Sequence, residues 1–215
     1  MAAVPARVAL ERHQWAEAAR VSILQAEVFP WEKFPNAEAI VHFARGIGSA
    51  RGGDANGARP AIAALDSLHE RLHQAGSSYW AKQVDIQRLA VQAWQAFEED
   101  RRDEAVHLMR RSAELESSTE KSGVTPGAIL PSRELFGDML MELDRPEEAL
   151  AQYEAALARS PNRFNSLFGA GLAAERLSDA AMARDYYAKL VEMCARSESG
   201  RVGLIHARRF LARAG

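Results

Sequence analysis

The sequence predicts an all-α fold, an array of about five antiparallel helix pairs followed by a C-terminal capping helix. Three observations carry this reading. Residues 130–195 hold two back-to-back copies of a 34-residue unit, with Gly137 and Gly171, Ala149 and Ala183, and Tyr153 and Tyr187 each 34 apart. A fixed period of that length marks a repeat array. A small residue is followed by another 12 positions later five times: Ala6–Ala18, Gly46–Ala58, Ala93–Ala105, Gly137–Ala149 and Gly171–Ala183. Strand-like alternation is absent, and glycine and proline fall mostly between segments of helical period.

Residues 3–12 and 15–27 form the first expected pair, with Trp15 opening its second helix and Ala18 and Ala19 inside it. The loop VFPWEKFP follows, because Pro30 and Pro35 forbid helix continuation. Asn36 is the expected N-cap of a helix over residues 37–50 that carries Phe43, Gly46 and Ile47. The turn RGGDANG leads into a helix over 56–75 with Ala58, Ile62 and Leu65 on one face. A third pair covers 77–98 and 101–119, joined by the charged turn EEDRRDE, which reads as a solvated corner.

The stretch STEKSGVTPGAILP breaks the pattern. Gly123, Pro126, Gly127 and Pro131 predict a surface loop over 119–131, long enough to be of the kind often used in function. The repeat copies supply the fourth and fifth pairs, 131–158 and 162–194. Asp144 with Glu147 reads as a capping-box variant ahead of Pro146, and Pro161 stops the helix. A last amphipathic helix over 198–213 is expected to turn Val202, Leu204, Ile205 and Leu211 inward and Arg201, Arg208 and Arg213 outward, as a soluble array end requires. The pairs 3–27, 37–75, 77–119, 131–158 and 162–194 with this cap are read as one domain over 1–215.

The 12-residue offset has a physical reason. Small residues where two helices cross let the backbones approach closely, and Tyr153 and Tyr187, one turn beyond Ala149 and Ala183, fill the gap toward the next helix. Residues 130–195 resemble tetratricopeptide repeats at Gly137, Ala149, Tyr153, Ala156 and Pro161, then at Gly171, Ala183 and Tyr187. The earlier three pairs resemble the family only at the small-residue positions, and Arg133 and Leu167 stand at its usual tryptophan position. The resemblance implies a right-handed superhelical α-solenoid whose first helices line a concave groove for a protein or peptide. PARVALERHQW, YWAKQVDIQR, TPGAILPSREL and SPNRF are also similar to segments in the C-terminal half of longer bacterial tetratricopeptide proteins.

Composition narrows the function classes. Hydrophobic residues make up 47% of the chain, ordinary for a protein with a packed core, and no apolar run approaches the roughly 18 residues of a membrane span. No membrane partner is expected. MAAVPARVALERHQ lacks a basic region ahead of an apolar core, so it is not read as a secretory signal, and a cytoplasmic location is expected. The net charge of −2 argues against a nucleic-acid partner held by phosphate neutralisation. Twenty-three arginines stand against 4 lysines, scattered along the chain, and read as compositional bias. The lone Cys194 ends an apolar helix and reads as a packed thiol.

One motif carries metal chemistry on its face. His69-Glu70-Arg71-Leu72-His73 matches HExxH, in which two histidines one turn apart hold zinc and the glutamate polarises a bound water. Arg71 inside the motif and the lack of a marked third ligand argue for two solvated histidines instead. A zinc-dependent hydrolase is therefore the alternative reading, with no catalytic residue, metal or cofactor in the preferred one. An oligomerisation module that stacks through the array ends is a further alternative.

The preferred reading is an interaction scaffold. The ligand-facing positions implied by the resemblance are Glu134, Asp138, Asn165 and Phe168 in the fourth and fifth pairs, with Phe43, Ile47, Gln87 and Trp94 at the same offsets earlier. Tyr79, Trp80 and Gln83 lie upstream on the same long helix as Gln87. Rings supply contact area and amides hold a peptide backbone, which suits an extended peptide. Packing between neighbouring pairs is the competing role for Phe43 and Trp94. Family members that clamp an acidic C-terminal tail use lysine and asparagine where Glu134, Asp138, Phe43 and Ile47 stand, so a basic or apolar partner is expected.

Overall fold

The computed structural model describes residues 4–23, 29–119, 128–197 and 200–213. Among them every regular element is helical: α1 (Val4–Glu11), α2 (Trp15–Ala19), α3 (Pro35–Arg51), α4 (Ala55–Gln74), α5 (Ser78–Glu98), α6 (Arg102–Ser118), α7 (Ser132–Glu142), α8 (Pro146–Arg159), α9 (Phe164–Arg176), α10 (Ala180–Met193) and α11 (Val202–Arg213). A single 3-10 turn, Trp31–Lys33, interrupts the first long connection. The chain forms two compact units, residues 1–132 and 133–215. In the first unit each helix packs on its successor from α1 to α6, and the first helices α1, α3 and α5 also pack on one another. In the second, α8 to α11 pack in sequence and α11 touches α9 as well.

The five pairs turn on the same backbone device. His13, Gly53, Asp100, Asp144 and Ser178 have φ of 54°, 84°, 61°, 55° and 61°. Each lies seven residues after the first small residue of its pair and five before the second. At every corner the amide of the left-handed residue donates to the carbonyl three residues back, at 3.0–3.2 Å. The following amide donates five residues back, Gln14 to Ala9 at 2.8 Å and the other four at 2.9 Å. This pair of bonds closes a helix by satisfying two of its last carbonyls. The corner then fixes where the second helix starts, and with it the register that brings the small residues to the crossing. All of those small residues, from Ala6 to Ala183, are buried.

The glycines admit rings as well as backbones. A Cβ on Gly137 would stand 2.6 Å from the Tyr153 ring, and one on Gly169 closer still, so this ring sits between the first helix of its own pair and the first helix of the next. Gly171 faces the Tyr187 ring in the same way. Both tyrosines are buried. The repeat's glycine therefore makes room for the tyrosine one turn beyond the partner alanine, a refinement of the expected glycine–alanine crossing.

Several expected boundaries move. α2 stops at Ala19 rather than 27: Val21 and Ile23 are β-branched, and Arg45 Nε takes the Val21 carbonyl at 2.6 Å, holding the chain out of helix. Residues 24–28 lie outside the described residues, as do 120–127 in the expected loop. Asn36 is not the N-cap of α3; Phe34 is, because Pro35 fits the first helical position, where no amide is needed. Asp144 is a corner residue and not a cap, and Arg145, the N-cap of α8, makes no side-chain cap bond. α11 begins at Val202; Leu204 faces inward and Arg208 and Arg213 outward as expected, but Val202 and Ile205 do not face the core. Gly203, Leu204 and Ala207 are buried, whereas Val202 and Ile205 are 80% and 38% exposed, since Gly203 is the position that fits against Phe168.

Exchanging glycine in opposite directions tests this architecture. Gly171→Ala is expected to lower stability by about 1–3 kcal/mol through crowding of Tyr187, outweighing the roughly 1 kcal/mol helix-propensity gain. Ser178→Gly is expected to raise stability by about 1 kcal/mol by removing a side chain from a left-handed corner. Urea-unfolding midpoints of both variants read the two signs, and a stabilising Gly171→Ala would contradict the packing described.

Candidate functional site

In the first unit Phe43, Ile47 and Trp94 are buried, at 3%, 0% and 2% exposure. Trp94 belongs to a stack. The Arg51 guanidinium carbon lies 3.9 Å from the Trp94 ring centre and 5.1 Å from that of Trp15, and Trp15 stacks on His13 at 4.7 Å. Phe97 meets Trp94 edge-on at 5.1 Å, and Arg102 covers Phe97 at 4.0 Å. A planar cation between two indoles is a favourable cation–π arrangement. It ties α2, the end of α3 and the end of α5 together, a packing role.

In the second unit the carboxylates that suggested a basic partner are engaged internally. Glu134 is fully buried and accepts from Arg163 through both oxygens, at 2.7 and 2.9 Å, and from the Ser166 hydroxyl at 2.5 Å. Asp138 Oδ1 accepts from the Tyr153 hydroxyl at 2.7 Å. Asn165 Oδ1 accepts from Arg201 at 2.6 Å, and the Arg201 guanidinium lies 3.5 Å over the Phe164 ring. Phe168 packs on Gly203, with the Tyr187 and His206 rings 6.2 and 5.7 Å away. Tyr187 and His206 both engage Glu175 Oε1; burial first, then that hydrogen bond, pushes the Tyr187 phenol well above its ordinary pKa and keeps it a donor.

Gln83 and Gln87 remain, half-buried on α5, and the Gln87 Oε1 atom is enclosed without a hydrogen bond. Trp80, Gln83 and Gln87 stand at i, i+3 and i+7, which puts them on one helical face. That face runs toward a cavity of about 670 Å³ lined by Trp80, Lys33, Asn36, Arg71, Gln74 and Ser77 among others. Lys33 comes from the 3-10 turn, Asn36 from the first turn of α3, Arg71 and Gln74 from the end of α4, and Trp80 from the first turn of α5. Tyr79 braces Trp80 edge-on at 5.1 Å. Arg71 is oriented by the Glu32 carbonyl at 3.0 Å, and Gln74 donates to Glu70 at 2.7 Å. The cavity thus offers an aromatic wall on α5, amide groups on α3 and α4, and the cations of the 3-10 turn and α4, with Glu32 also in its lining.

The histidine pair is placed differently. The His69 and His73 rings lie nearly parallel, 11° apart, with centres separated by 6.3 Å. Glu70 holds Gln74 rather than pointing at an imidazole-bound site. Among the described residues no group of three or more histidine, cysteine, aspartate or glutamate side chains could hold a metal ion, and no helix is long and apolar enough to cross a membrane. Lys33 and Arg71 were not singled out by sequence: one lies in a loop and the other inside the HExxH match, and no spacing joins them. In comparisons with known proteins, the chain matches no family model, no curated protein and no solved structure.

The buried Glu134 pair makes a direct prediction. Glu134→Ala leaves Arg163 with an unmatched charge near the start of α9 and is expected to lower stability by about 3 kcal/mol. Denaturant unfolding measures it; a change below about 1 kcal/mol would return Glu134 to the class of surface ligand contacts.

Proposed function

We propose that this protein is a helical-repeat scaffold of the tetratricopeptide type, a right-handed superhelix that holds an extended segment of a protein partner. The binding site is the cavity at the start of α3 and α5, continued along Trp80, Gln83 and Gln87. One observation carries the reading: Trp80, half-buried, lines the cavity, and the half-buried Gln83 and Gln87 follow it on the same face of α5 with no side-chain ion pair or hydrogen bond among the described residues. An apolar side chain of the partner rests on Trp80, while the Gln83 amide pairs with its backbone. Rings and amides in this mixture recognise extended chains because the ring supplies area and the amides replace lost water contacts. The reading assigns no catalytic residue and no cofactor.

Selection of a random peptide display library on the full chain supplies the probe. Fluorescence anisotropy of the enriched peptides should show Trp80→Ala weakening binding by about 30-fold, the effect of losing a contact worth roughly 2 kcal/mol. The melting temperature should move little, since Trp80 is only partly buried. Peptides that bind Trp80→Ala as tightly as the parent would remove the cavity from the mechanism.

A further inference from the structure

A second cleft, of about 700 Å³, lies wholly in the second unit between α8 and α10, the second helices of the two repeat copies. Leu167 of α9, buried at 3% exposure, is its floor. Leu157 and Met193 line it from α8 and α10, and Met193 is 39% exposed. An unbranched thioether beside a buried leucine makes an apolar surface that adapts to an inserted side chain. The Tyr186 hydroxyl donates to Glu154 Oε1 at 2.7 Å and spans the cleft from one helix to the other. Burial first, then the Glu154 bond, pushes the Tyr186 phenol well above its ordinary pKa, so the bridge stays protonated across the physiological range.

The charges at the mouth are unequal. Glu154 and Glu192 line the cleft together with one ammonium, Lys189, which lies 5.8 Å from the Tyr186 ring centre. Glu192 is exposed and makes no ion pair among the described residues. An apolar hole with an uncommitted carboxylate at its edge selects a guest that carries a cation next to an apolar group.

We infer that this cleft is a docking site for a protein segment that inserts one bulky apolar side chain between α8 and α10 and sets a lysine or arginine against Glu192. The site is separate from the one in the first unit and does not depend on it.

Methyl-¹³C methionine labelling of the full chain gives a local reporter, with the Met193 signal assigned through Met193→Leu. The probes are two capped tripeptides, lysine–tryptophan–lysine and glutamate–tryptophan–glutamate. The basic probe should shift the Met193 methyl saturably, and the acidic probe should bind at least about tenfold more weakly. Glu192→Lys, an exposed change that leaves packing intact, should reverse the preference. Trp80→Ala should leave both titrations unchanged, so a failure of the first-unit site is told apart from a failure of this one. A Met193 signal that does not move, that responds equally to both probes, or whose preference survives Glu192→Lys overturns the inference.

Discussion

Each helix pair depends on one left-handed residue closing the first helix with two backbone hydrogen bonds. His13, Gly53, Asp100, Asp144 and Ser178 all serve, and only one is glycine. A side chain in this region is disfavoured by about 1–2 kcal/mol, so four of the corners accept strain. What they secure is register. With the left-handed residue seven positions after one small side chain and five before the other, the two meet wherever the helices cross. A residue added to any corner would move every later side chain of its second helix by about 100°, because a turn holds 3.6 residues. The corner length is therefore fixed by the packing of the pair.

The arginine content has a structural use. Arg51 lies between Trp15 and Trp94, Arg102 covers Phe97, Arg201 covers Phe164, and Arg163 grips Glu134 with two parallel bonds. Each exploits the flat guanidinium, which stacks on rings and matches a carboxylate fork in ways an ammonium cannot. The contacts of Arg51, Arg201 and Arg163 join residues 29 or more apart in the sequence, whereas Arg102 and Phe97 join the successive helices α5 and α6.

The helix pairs were legible in the sequence because their determinants are local. The 12-residue offset of small residues marks all five crossings, and the 34-residue period marks the last two pairs. The corners were less legible: with aspartate at 144, the left-handed position reads as a helix cap, since aspartate favours both. The roles of Glu134 and Asp138 were hidden for another reason. Their partners, Arg163 and Tyr153, come from later elements, 29 and 15 residues on, and nothing in local spacing distinguishes a carboxylate that meets a guanidinium inside from one that faces a ligand. Trp80 and the two glutamines on its face could be read as one stripe of α5, but Lys33 and Arg71 beside them could not. The cavity is made by two stretches of chain, residues 32–36 and 71–80, meeting, which no single periodicity records.

The position of the Tyr153 ring has a consequence for how the second unit opens. It lies against Gly137 of its own pair and Gly169 of the next, so one side chain belongs to the packing of two repeats at once. In a stacked array, cooperativity is carried by such shared contacts between neighbours, and each repeat alone is marginal. α8 therefore cannot loosen from α7 without also releasing α9. The fourth and fifth pairs are coupled in stability because a single aromatic ring packs in both.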